Sequence, residues 1–266
     1  RFRNVTGVQT CALPICRIIV GGAFGNVMPI PTPVAQPRSR LARLQPDGQF
    51  DSSFIAGANA DVNALVVLPD GSVLAGGSFS TAFGGGVSPS GRSFLARFTS
   101  DGSLDTTFTP GVNQVVSALA VMPDGKFVAG GYFTRAASRG VTAGVLRNRV
   151  ARFNLDGSLD TTFAPDEGGR PLLTLVQSDG KILIAGTFSA VAGTTRNYIA
   201  RLNTDGSLDT AFNPNLNGLV RAMVLQSDGR ILIAGSFTSV GGITRNRVAR
   251  LNATGARSEE HTSELQ

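Results

Sequence analysis

The chain is short of the residues that most active-site chemistry needs. Its 266 residues include one histidine, two cysteines, two tyrosines and no tryptophan. Lysine is nearly as scarce, with Lys126 and Lys181 alone. No apolar run approaches the roughly 18 residues of a membrane-crossing helix, so no membrane segment is expected.

The two ends shrink this inventory further. The last ten residues, RSEEHTSELQ, can be encoded by AGATCGGAAGAGCACACGTCTGAACTCCAG. The reverse complement of that DNA, read in the frame GGA-GTT-CAG, yields the GVQTCALPI of residues 7–15. Two unrelated termini have no reason to be opposite strands of one oligonucleotide. Residues 1–16 and 257–266 are therefore expected to be translated sequencing-adapter DNA and are set aside, as an expression scar would be. His261 and Cys11 go with them, Cys16 sits on the junction, and the sequon Asn4-Val5-Thr6 disappears. Disulfide arithmetic and the search for a leader peptide then say nothing about compartment.

What remains, 17–256, suits one large all-β domain. Its apolar content is that of a folded chain. The net charge is +6 over the full sequence. Removing residues 257–266 takes away one Arg and three Glu and raises it to +8, and losing Arg1 and Arg3 returns it to +6. Nucleic-acid binders gather their basic residues on one face. Here arginine instead recurs once or twice per repeat at equivalent positions, so nucleic acid is not expected as a partner.

Repetition decides the fold. DGSLDTTF stands at 101–108 and 156–163, DGSLDTAF at 205–212 and the weaker DGQFDSSF at 47–54, with starts 54, 55 and 49 residues apart. Each period carries the same ordered segments: VRAMVLQSDG (220–229), RILIAGSF (230–237), a variable loop, RNRVARLN (245–252), then DGSLDxxF. These are short runs of Val, Ile, Leu and Phe bounded by Asp-Gly, which are strand signals without helical periodicity. Four short strands per period of about 50 residues mark the blade of a β-propeller. The fold expected is all-β, a propeller of four-stranded antiparallel blades. About five are visible, with breaks near 54, 108, 163 and 212. The first opens on its second strand and the last stops after its third. Exposed strand edges at both breaks are expected to favour self-association.

The hairpin register follows from turn chemistry. A three-residue loop with glycine in the left-handed position forms a type I turn plus bulge. Applied to Leu155-Asp156-Gly157, it pairs Asn154 with Ser158, Phe153 with Leu159 and Arg152 with Asp160. The same rule pairs Arg43 with Asp51, Arg97 with Asp105 and Arg201 with Asp209. Apolar meets apolar and Arg meets Asp in every repeat, so these pairs are read as structural cross-strand links rather than ligand contacts.

The openings DGSLDTAFNP (205–214), with QSDGRILIAGSF and RNRVARLN, resemble the bacterial delta-60 repeat family, over nearly all of 17–256. The first repeat departs most, with a proline-rich loop from 29 to 37 and DGQFDSSF for DGSLDTTF. The resemblance implies a propeller in a large secreted or surface-attached bacterial protein, and it carries no functional residues across.

The sequence holds no catalytic constellation. Ser–His–Asp, Cys–His and zinc arrangements lack their residues. A glycosidase needs two converging carboxylates, whereas these recur in turns or opposite arginine. The Ser-Asp-Gly turns at 178–180 and 227–229 lack the aromatic anchor of sialidase repeats. Asp156, Ser158, Asp160 and Glu167 have calcium-loop spacing, but Thr161 stands where such a loop needs glycine. Gly84-Gly85-Gly86 lacks the lysine of a phosphate loop. No cofactor and no metal are expected.

The functional expectation is a non-catalytic binding or scaffold module with a protein or carbohydrate ligand. The competing readings are a plain spacer, or part of a larger secreted enzyme whose active residues lie elsewhere. Variable loops at 80–93, 134–148, 189–196 and 238–245 would form the binding rim. Beside it lies a recurrent Arg-Asn, Arg147-Asn148, Arg196-Asn197 and Arg245-Asn246, as candidate ligand contacts. Simple closure of the loop by these residues is the weightier reading.

Overall fold

The computed structural model describes residues 5–9, 17–27, 36–137, 144–165, 170–256 and 258. Among them are seven three-stranded antiparallel sheets, of which five are the blades, one per repeat. The third, taken from the axis outward, runs Val116–Val121, Phe127–Gly131, Val150–Phe153. The second is Val62–Val67, Val73–Gly77, Leu95–Phe98, and the fourth Arg170–Val176, Ile182–Thr187, Ile199–Leu202. The fifth is Val220–Leu225, Ile231–Gly235, Val248–Leu251. The first strands of successive sheets adjoin one another, which makes them the inner wall of a propeller. No described helix is long and apolar enough to cross a membrane.

The fourth strand of the first four blades is thinner than the sequence suggests. It is held to the third by a single bridge, Leu44 to Phe50, Phe98 to Leu104, Phe153 to Leu159 and Leu202 to Leu208. The Asp-Thr-Thr turn that follows bends the chain away, so no longer ladder forms.

The first blade also differs from expectation. Val5–Gln9 lies antiparallel to Ile18–Gly22 and takes the inner position, so this blade does not open on its second strand. That strand falls within the segment read as adapter-derived. Residues 10–16 and the terminal tail apart from Ser258 lie outside the described residues, with Cys11, Cys16 and His261 among them. Glu167 and most of the proline-rich loop do so too.

Why the blades stack is visible in the middle strands. Val73–Gly77 and Phe127–Gly131 are buried at every residue, because each blade has neighbours on both faces. Leu74 and Leu95 of the second blade meet Phe127, Ala129 and Phe153 of the third. Leu183 and Ile199 of the fourth meet Ile231, Ile233 and Leu251 of the fifth. One face of a blade thus presents Leu, Val or Ile, and the face it meets presents Phe or Ile. Gly131 and Gly235 end their strands where a Cβ would overlap the main-chain oxygens of Val115 and Leu219, so the inner strand can be entered at that point only past a glycine.

Candidate functional site

The turn rule sets the geometry on which everything else hangs. Asn154 N–H donates to Ser158 O, Gly157 N–H to Asn154 O and Asp160 N–H to Arg152 O, each at 2.9 Å. Gly157 has φ 86°, and the glycines of the equivalent turns share this left-handed conformation. The carboxylate of Asp156 accepts from Ser158 N–H at 2.9 Å and from its hydroxyl at 2.7 Å, tying off the turn.

This register brings arginine onto aspartate in four blades. Nε of Arg43 donates to Asp51 at 2.8 Å, Arg97 to Asp105 at 2.8 Å, Arg152 to Asp160 at 2.9 Å and Arg201 to Asp209 at 2.9 Å. Each guanidinium does two further things that the pairing rule does not foresee. Nη1 reaches across to a turn carbonyl of the next blade: Ser100 for Arg43, Leu155 for Arg97, Thr204 for Arg152 and Ala253 for Arg201. Its flat face covers the phenylalanine closing DxxF, with Arg152 4.5 Å from the Phe163 ring centre and Arg201 4.6 Å from that of Phe212. One side chain therefore ties two strands, two blades and an aromatic together.

Lysine adds a second cation in two blades, Lys126 Nζ to Asp160 at 2.7 Å and Lys181 Nζ to Asp209 at 2.9 Å. Burial alone raises the Asp160 carboxyl. The hydrogen bonds from Lys126 and Thr162, with the charge of Arg152, outweigh it and hold the group well below the usual range. Asp51, Asp105 and Asp209 shift the same way, with burial again opposing the partners. A carboxyl whose pKa is depressed by folding contributes stability above its unfolded value of about 3.9 and loses it as pH falls through the folded value. The urea midpoint should therefore stay level from about pH 7 to 5 and fall steeply below about pH 4. A midpoint at pH 3 equal to that at pH 7 would refute this.

The rim arginines are engaged within the molecule. Arg196 is 5% exposed, and its Nη1 and Nη2 donate to Thr195 O at 2.7 Å and Thr210 O at 2.9 Å. Arg147 does likewise to Leu146 O at 2.8 Å and Thr161 O at 3.1 Å, and Arg245 donates to Thr244 O at 3.0 Å. Arg92, absent from the Arg-Asn set because serine follows it, makes the same pair of bonds to Gly91 O and Thr106 O. Arg92, Arg147 and Arg196 thus close the loop onto the turn that follows DGSL, at Thr106, Thr161 and Thr210. Asn197 Nδ2 donates to Asn215 at 3.0 Å, Asn246 O accepts from Val248 N–H at 2.8 Å, and Asn148 is half-buried.

The residue after each of these pairs is strained. Arg40, Phe94, Arg149, Tyr198 and Arg247 all have φ between 64° and 70°. Around Tyr198, Ile199 N–H reaches back to Asn197 O at 2.8 Å, a γ-turn of the rare positive-φ kind. No glycine or asparagine occupies these positions, so nothing in the sequence betrays them. A second missed set is Asn59, Asn113 and Asn217. Each accepts at Oδ1 from two successive backbone N–H groups of the rim loop, as Asn113 does from Thr134 at 2.9 Å and Arg135 at 3.0 Å. Its signal was present as asparagine three residues before the inner strands of the second, third and fifth blades.

Above this frame stand short hairpins: Arg135–Ala137 with Val145–Leu146, Ala190–Val191 with Thr194–Thr195, and Ser239–Val240 with Ile243–Thr244. Their second strands are exposed, Val145 at 47%, Leu146 at 61% and Ile243 at 52%. Among the described residues no group of three or more His, Cys, Asp or Glu is placed to hold a metal ion.

A family model described as "Domain of unknown function (DUF5122) beta-propeller" matches five stretches, 17–54, 68–108, 123–163, 177–212 and 226–257. The chain belongs to the DUF5122 β-propeller family. Each matched stretch but the last ends on the DxxF phenylalanine under a stacked arginine, and the inner strands of the second to fifth blades lie in the gaps between the matched stretches. The comparison with curated proteins found no match. Among solved structures, a streptogramin B lyase is similar at a TM-score of 0.53 and 14% identity, covering 96% of this chain and 72% of that one. The WD40 propeller domain of Doa1 aligns at 0.46 and 15%, over 83% and 72%. At such identities the likeness to the lyase speaks for the propeller fold alone.

Proposed function

We propose that this DUF5122 propeller is a non-catalytic module of a secreted or surface bacterial protein, and that its loop rim binds a protein. The observation that carries the reading is the contrast between frame and rim. The arginine–aspartate pairs and the Asn59, Asn113 and Asn217 carboxamides are engaged in holding the frame, whereas the rim hairpins differ from blade to blade and leave Val145, Leu146 and Ile243 in solvent. Exposed apolar side chains on short edge strands suit a polypeptide partner, through side-chain burial and main-chain pairing. The secreted setting rests on the resemblance of the repeats to the delta-60 family.

The test offers a bacterial culture supernatant to the immobilised chain and, in parallel, the labelled chain to a glycan array. A defined protein should be retained, at least about tenfold more weakly by Leu146→Asp and Ile243→Asp, and equally by Asp156→Asn at the opposite end of the strands. Glycan binding without a protein partner would replace the ligand class. Retention indifferent to both rim substitutions would remove the rim from the reading.

A further inference from the structure

The strands of a blade alternate in direction, so the turns joining first to second and third to fourth strands share one end of the propeller. The loops joining second to third strands, and one blade to the next, share the other end, the rim. Charge divides between these ends. In the second to fourth blades the rim holds Arg92, Arg135, Arg147, Arg149 and Arg196. Where these guanidiniums bond within the chain, they do so to main-chain oxygens, which bring no countercharge. Among the described residues of the rim loops the one acidic side chain is Asp61, and Arg40 already pairs with it at 3.4 Å.

The opposite end carries the Asp-Gly turns. In the same blades these hold Asp70, Asp101, Asp124, Asp156, Asp179 and Asp205, none of them in an ion pair among the described residues. Lys126 and Lys181 stand nearby but are engaged with Asp160 and Asp209. Arginine recurring at equivalent positions reads as dispersal along the sequence. In a propeller, equivalent positions of adjoining blades lie at one end, so recurrence along the chain becomes clustering in space.

Two observations choose the anion that such a surface takes. Both terminal nitrogens of Arg147 and Arg196 are occupied by carbonyls, so the fork with which arginine grips a phosphate is already filled. No aromatic ring among the described residues is exposed, so unpaired bases find nothing to stack on. Val145 and Leu146, beside Arg147, are in solvent instead. A field of one sign with apolar side chains set in it matches a segment of carboxylates and apolar residues.

We propose that the rim is a docking surface for an acidic, partly apolar polypeptide segment, steered in by Arg92, Arg135, Arg147, Arg149 and Arg196 and held by Val145 and Leu146. This rests on the rim being the protein-binding face and adds the sign of the partner's charge.

Fluorescence anisotropy of a labelled glutamate-rich peptide carrying leucine, titrated with the full chain, tests this. Its controls are the same peptide with lysine for glutamate and a single-stranded oligothymidine of the same charge. The glutamate peptide should bind, the lysine peptide should not, and the oligonucleotide should bind at least about tenfold more weakly. Raising salt from about 0.01 M to about 0.15 M shortens the Debye length from roughly 30 Å to about 8 Å and should weaken binding at least about tenfold. Arg135→Glu combined with Arg149→Glu should do the same at fixed salt, whereas Asp179→Asn at the opposite end should leave binding unchanged. Circular dichroism identical to the parent keeps these results from being folding defects. Equal binding of the oligonucleotide would make the rim a general polyanion surface and overturn the proposal. So would a glutamate peptide that fails to bind at 0.01 M salt, or binding indifferent to the charge reversals. In each of these cases a protein retained from culture supernatant and lost with Leu146→Asp would leave the rim a protein-binding face, with the partner's acidity alone refuted.

Discussion

Asp160→Asn should lower the free energy of unfolding by about 3–5 kcal/mol. The carboxylate is 6% exposed and receives Arg152, Lys126 and the hydroxyl and amide of Thr162. An amide of the same shape keeps one acceptor oxygen and turns an NH2 toward two cations. Arg152 and Lys126 would then be left with no counter-charge beside them, and leaving buried charge uncompensated is what makes removal of one partner costly. Asp105→Asn should cost distinctly less, because its pair with Arg97 is more open, at 16% and 15% exposure, and no lysine joins it. Urea denaturation measures both. An Asp160→Asn loss below about 1 kcal/mol, the worth of an ordinary surface pair, would show that the arginine is held by its aromatic and carbonyl contacts instead.

Phe127→Ala should cost a similar amount, about 3–5 kcal/mol, for an unrelated reason. Phe127 is fully buried between the second and third blades, stacked on Phe153 at 5.3 Å between ring centres and tilted against Phe108 at 5.9 Å. The void left by its ring is lined by side chains on rigid strands that cannot close it. Because blades touch only their sequence neighbours, stability is close to a sum of blade and interface contributions. The substitution should therefore split one unfolding transition into two, the stretch before the weakened joint melting apart from the stretch after it. Fluorescence probes in the second and fifth blades would follow this. Coincident transitions at a lowered midpoint would mean that the array unfolds as one body.

Much of this was legible because the repeat is dense in local signals. Asp-Gly turns with glycine at the bulge are enough to set Phe153 against Leu159 and Arg152 beside Asp160. The reach of Arg152 to Thr204 depends on how far apart two blades stand, and no pattern within one repeat encodes that distance. The left-handed backbone at Arg149 and Tyr198 was hidden for the opposite reason. Propensity places glycine or asparagine there, and the packing of the loop overrides it. At the rim, the sequence favoured loop closure for Arg196 and Arg245 over ligand contact, but their acceptors are main-chain oxygens, which no residue pattern names.

Those four blade-crossing arginines end on the carbonyls of a serine, a leucine, a threonine and an alanine. The receiving repeat contributes nothing but peptide backbone, so the joint is indifferent to the ancestry of its neighbour. Unequal crossing-over in the gene can duplicate, delete or exchange a repeat, and every new junction inherits its tie from the upstream copy without a compensating mutation downstream. Lineages built from this unit are free to lengthen or shorten by whole repeats while their loops diverge.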